Sequence, residues 1–98
     1  MKFEWDAKKA ENNFHKHGVS FDEAKEVFFD EYGLDEYDEF HSSIEDRFIR
    51  IGMGLKNVLF VVYMVKDEQS ETYRLISARG ADKTYETTYW EERRKRGG

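Results

Sequence analysis

Arg47 opens a β-like run, Arg74 lies inside another, and Arg79 ends that second run. A guanidinium is planar, permanently charged and able to fork onto two oxygens. Several held on a rigid sheet can grip a phosphodiester and offset charge as a phosphorane forms. Glu86 follows in the next segment, where a carboxylate can take a proton or orient an arginine. Tyr89 is three residues further on, on roughly the same helical face, and can stack on a base or donate a proton. The same residues have a structural reading: Arg79 pairs with Glu86, while Tyr85 and Tyr89 pack the last helix on the sheet. The residues alone leave both open.

The remaining chemistry is sparse. Cysteine is absent, which removes thiolate nucleophiles, disulfides and cysteine-based zinc sites. His15 and His17 are two apart and point away from each other on a helix, and His41 lies in a polar loop. No H-E-x-x-H pattern occurs, so neither a metal nor a cofactor is expected. His17, beside Gly18, reads most simply as a helix-end residue.

Ninety-eight residues make one domain, residues 1–98, with 39% apolar and 16% aromatic side chains to fill its core. The formal charge is −5, which argues weakly against a nucleic-acid ligand. The charge is divided unevenly, however. Residues 1–46 carry net −9 and residues 47–98 net +4. A polyanion samples charge only within about 10 Å at moderate salt, so a basic face can exist on an acidic chain. No apolar run has transmembrane length and the start lacks a signal-peptide core, so a cytoplasmic protein without membrane contact is expected.

These side chains need a frame. Asn57–Val65 is a buried-strand pattern and Thr72–Arg79 a second, with Arg74, Ile76 and Ala78 on one side and Tyr73, Leu75 and Ser77 on the other. The polar connector Lys66–Glu71 makes them an antiparallel hairpin. Arg47–Met53 alternates cleanly, Leu34–Phe40 is an acidic strand, and Lys2–Trp5 a short first strand. Asp6 caps a helix from Ala7 to Lys16 with Ala7, Ala10 and Phe14 as its stripe. Ser20 and Glu23 form a capping box for a second helix, whose buried stripe is Phe21, Ala24, Val27 and Phe28. Asp82 caps a last helix that uses Tyr85, Tyr89 and Thr88 for contact. Asn57 reads as a left-handed turn residue. The order is β-α-α-β-β-β-β-α, an α+β domain with two N-terminal helices and a C-terminal helix packed on an antiparallel sheet.

The string F-E-W-D-x-x-K-x-x-x-N-x-x-K-H-G-V-S-F-x-E-A, here Phe3–Ala24, resembles the opening of the BrnT family of type II toxins. The later pieces D-R-F-I-R-I-G, V-L-F-V-V-Y and Y-R-L-I-S-A-R-G-A are similar too. The chain departs from the family at Met64–Val65–Lys66, where T-E-R is common. The resemblance implies a RelE-like fold and a metal-independent endoribonuclease that halts translation. It also implies a cognate BrnA-like antitoxin partner, an RNA substrate, and operator DNA contacted only through the antitoxin complex. Its recurrent positions fall on Lys16, His17, Arg47, Arg74, Arg79, Glu86 and Tyr89. The implied roles are scissile-phosphate binding for Arg79 and Arg74, phosphate positioning for Arg47, and proton transfer or orientation for Glu86. Lys16, His17 and Tyr89 would bind substrate. The alternative is a weakly active or inactive module of the same fold that binds its antitoxin and tunes operon repression.

Overall fold

A computed structural model describes residues 1–98. The elements are β1 (Lys2–Glu4), α1 (Ala7–His17), α2 (Phe21–Ala24), a 3-10 segment (Lys25–Phe29), β2 (Leu34–Tyr37), β3 (Phe48–Met53), β4 (Val58–Asp67), β5 (Thr72–Gly80) and α3 (Lys83–Lys95). They build one five-stranded sheet in the order β1-β5-β4-β3-β2. The sheet is mixed rather than antiparallel, because β1 lies parallel to β5 with Phe3 opposite Tyr73 and Glu4 opposite Arg74. The alternation of Lys2–Glu4 marks a strand but carries no direction. Direction follows from packing, since Phe3 must face Phe28 and Tyr73 on the helical side.

The caps form where the sequence places them. Asp6 accepts from the Lys8 and Lys9 N–H groups, Ser20 from Glu23, and Asp82 from Tyr85, while the Glu23 carboxylate makes no return bond to Ser20, so the expected capping box is only half formed. Gly18 ends α1 in the left-handed region at φ 72°. The turn after β4 puts Glu71, not Asn57, at positive φ. Helix α2 tightens into a 3-10 turn after Ala24, yet Phe21, Ala24 and Val27 are buried as the stripe requires.

The sheet has two covered faces. Helices α1 and α2 and the 3-10 segment lie on Leu59, Val61, Tyr63, Leu75 and Ala78. Helix α3 covers one end of the other face, where Tyr89 packs with Ile49, Ile51 and Val58. Thr88 stays exposed. Strict alternation would separate Leu75 from Ala78, but a bulge intervenes. Tyr63 pairs with Leu75 and Val62 with Ser77, which leaves Ile76 unmatched. Beyond the bulge, Ala78 faces the helices and Ser77 and Arg79 face the α3 side.

Helix α1 is rotated from the expected stripe. Phe14 is exposed, whereas Asn13 is buried against β5. Its carboxamide donates to Ala78 O at 2.8 Å and to Val19 O at 3.0 Å, and accepts from the Ala78 N–H at 3.0 Å. β1 pairs with β5 only as far as Arg74, so the outer edge of β5 beyond it lacks a strand. Asn13 supplies that missing partner.

Asp30 plays the equivalent part for α3. It accepts from the N–H groups of Tyr32 and Met53 and from the Tyr89 hydroxyl, which in turn accepts from Arg93. Burial works against the Asp30 carboxylate, but these hydrogen bonds outweigh it and hold its pKa below the usual value.

Two outcomes follow. Asn13→Ala strands both backbone groups of Ala78 and is expected to cost about 2–3 kcal/mol, read as a lower urea midpoint at unchanged slope. A carboxylate with a lowered folded pKa stabilises fully above its unfolded value and stops doing so as pH falls through the folded one. Asp30→Asn is therefore expected to be less stable than the parent at pH 7. The gap should narrow toward pH 3 in parallel urea melts, and a constant gap would contradict the assignment.

Candidate anion-binding and catalytic site

The uncovered half of the α3 face holds a cavity of about 490 Å³. Ile49, Phe60, Val62 and Ile76 form its floor, and Arg47, Arg79, Asp38, His41 and Tyr85 stand around it. Register explains the floor: Ile49 opposes Val62, and Phe60 opposes Arg79. The bulge at Ile76 is what brings Arg79 to this side.

Arg79 lies over the Phe60 ring, 4.0 Å from its centroid, and forms no ion pair. The ring supports one face of the guanidinium and leaves its N–H edges unused. Arg47 also lacks an ion pair, and its buried Nε has no hydrogen-bond partner. A buried donor without an acceptor is costly, so the pair of arginines is a ready site for an anion.

A short loop carries the rest. The Asp38 N–H donates to Arg47 O at 2.9 Å, extending the β2–β3 ladder by one rung. The Ser42 hydroxyl donates to Asp38 O at 2.6 Å and accepts from the Arg47 N–H at 3.0 Å, tying the two ends together. Asp38 is buried, only 7% exposed, and its carboxylate oxygens lie 3.0 and 3.1 Å from His41 Nδ1. A carboxylate only accepts, so Nδ1 carries a proton, and in the neutral ring Nε2 is then the basic atom. Across the cavity, the Tyr85 hydroxyl donates to Glu36 at 3.1 Å. Burial, then that carboxylate, pushes the Tyr85 pKa up, with Arg79 opposing.

The other sequence candidates are placed elsewhere. Arg74 is on the same face of the sheet but pairs with Glu4 at 3.3 Å and does not line the cavity. Glu86 is exposed on α3, one residue past Tyr85, and lies outside the cavity without pairing Arg79. Tyr89 is fully buried with its hydroxyl bound by Asp30 and Arg93. Lys16 is exposed on α1. His17 lines a separate recess of about 550 Å³ with Asp22, Glu23, Glu26 and Lys56. Three acids make that recess the poorer host for a phosphate. No three His, Asp or Glu side chains gather as a metal site. Asp38 and His41 were missed by sequence reasoning, although their i, i+3 spacing in a polar loop was the available signal.

Residues 5–84 match a family model described as the ribonuclease toxin BrnT of type II toxin–antitoxin systems. No curated protein matches the chain.

Arg47 and Arg50 are three residues apart and serve opposite ends. Arg50 faces the helices, where it donates to Val27 O at 2.7 Å and Asp30 O at 2.8 Å and pairs with Asp35. Arg50→Met is expected to cost about 2–3 kcal/mol. Arg47→Met relieves an unpaired buried donor and is expected to leave the melting temperature unchanged or slightly raised. Equal losses in the two variants would show that Arg47 is structural.

Proposed function

The chain belongs to the BrnT family of ribonuclease toxins, and on that premise we propose that it is a metal-independent endoribonuclease of RelE-like type that stops translation. The observation that carries this reading is the pairing of Arg47 and Arg79, neither in an ion pair, around one cavity. Two guanidiniums free of ion pairs on a stiff sheet suit a phosphodiester, and their charge is most useful when the phosphorane adds negative charge. Phe40, 91% exposed at the rim, offers a surface on which an unpaired base can stack. The ribose 2′-OH is the nucleophile that needs no metal, only position and proton transfer. Arg74, Glu86, Lys16 and His17 lie outside the cavity and belong to this reading only as contacts for a longer RNA.

The partner in this proposal is a BrnA-like antitoxin, with operator DNA reached through the complex. β2 is an edge strand carrying Asp35, Glu36 and an exposed Tyr37. Within the acidic stretch Asp30–Glu39 around it, Asp30, Asp35 and Asp38 are engaged inside the fold, and the exposed Glu31, Glu36 and Glu39 favour a basic antitoxin segment laid along that edge. The reading of the chain as a mainly antitoxin-binding module rests on the same strand and requires no cleavage.

Single-stranded RNA, free or on translating ribosomes, is expected to be cut in EDTA, and a matched DNA left intact. Arg79→Ala and Arg47→Ala are each expected to lower the rate on the order of 100-fold. Expression of the chain alone should arrest growth, and the Arg47→Ala, Arg79→Ala double variant should not. Cleavage unchanged in the double variant would remove this cavity from the mechanism.

A further inference from the structure

The Asp38–His41 pair is built in a way that a surface loop does not require. Ser42 bonds both strand ends, the ladder is extended to Asp38 and Arg47, and a carboxylate is buried with an imidazole as its only side-chain partner. Burying a carboxylate costs stability unless it is paired. Here the pairing fixes the ring of His41, whose side chain is otherwise 68% exposed, on the wall of the cavity that holds Arg47 and Arg79.

We propose that His41 is the general base of this cavity, oriented by Asp38, an inference that rests on the ribonuclease reading above. With the phosphate held by the two arginines, Nε2 takes the proton of the neighbouring ribose 2′-OH. The 2′ oxygen forms a bond to phosphorus and the bond from phosphorus to the 5′ oxygen breaks. The leaving 5′ oxygen takes a proton from water, and the imidazolium returns its proton to the hydroxide so formed. The products are a 2′,3′-cyclic phosphate and a 5′-hydroxyl, and no oxidant, reductant or metal enters the balance. Asp38 is a positioning residue. It keeps the proton on Nδ1, so an Asp38→Asn amide that donates to Nδ1 would force the opposite tautomer and remove the base.

The test uses the full chain and a single-stranded oligoribonucleotide. His41→Gln is expected to lower kcat by 100-fold or more at unchanged KM, and added imidazole should restore part of the rate to His41→Gly. Asp38→Asn is expected to lower kcat at unchanged KM. Long-range ¹⁵N–¹H spectra of the parent should show the Nδ1–H tautomer of His41, a readout independent of activity. His41→Gln cutting at the parental rate while Arg79→Ala fails would overturn the role of His41 and leave the arginine reading standing. An Nε2–H tautomer in the parent would overturn it too. A parent chain that leaves RNA intact on and off the ribosome would overturn the ribonuclease reading, and this inference with it.

Discussion

The carboxamide of Asn13 fixes which way β5 faces. It holds both backbone groups of Ala78 against α1 where no strand covers that edge, three residues after the buried Leu75. A strand of period two cannot bury both Leu75 and Ala78, so the bulge at Ile76 is the compromise. The consequence runs to the far side of the sheet. Ser77 and Arg79 turn toward α3, Arg79 settles on Phe60, and the cavity gains its second guanidinium. A core requirement and a site requirement are thus met by one irregularity.

The arginines divide by the company they keep. Arg50 binds two carbonyls and Asp35, which locks the 3-10 segment onto β3. That segment lies so close that a side chain at Gly52 would press on Val27, its Cβ only 3.1 Å from that of Val27. Arg74 answers Glu4 across the parallel pair. Arg93 and Arg96 lie over Tyr32, and Arg96 also binds Glu31 O, so α3 is clasped to the turn before β2. Arg47 and Arg79 have no carboxylate or carbonyl partner, and Arg79 rests only on the Phe60 ring. Leaving two like charges without ion pairs beside a buried orphan Nε does not help folding, and local inconsistency of this kind is what a binding site leaves on an otherwise self-consistent fold.

Much of the frame was legible in the sequence because caps and alternation are local. Asp6, Ser20 and Asp82 cap their helices, and the parity of Ile49, Ile51 and Met53 against Phe48, Arg50 and Gly52 holds through β3. The directional and long-range features were not legible. The parallel sense of β1 depends on Phe3 meeting Phe28 and Tyr73, and the bulge in β5 on Asn13, sixty-five residues distant. An asparagine in an amphipathic helix looks like solvent-facing polarity, and the apolar pattern points Phe14 to the inward place that Asn13 holds. For the site, Arg47 and Arg79 were visible as residue types on strands. Asp38 and His41 were not, because a polar loop gains meaning only once Ser42 closes it and the cavity lies beside it.

In the proposed function, the Arg47–Arg79 cavity receives the RNA phosphate. A titration of the labelled chain with an oligoribonucleotide carrying one 2′-deoxy residue at the scissile position tests it without cleavage. The side-chain Nε–H resonances of Arg47 and Arg79 are expected to shift together, with saturation, and to weaken with salt as phosphate contacts do. Shifts confined to Arg93–Arg96, or to the recess beside His17, would place the RNA elsewhere and contradict the account.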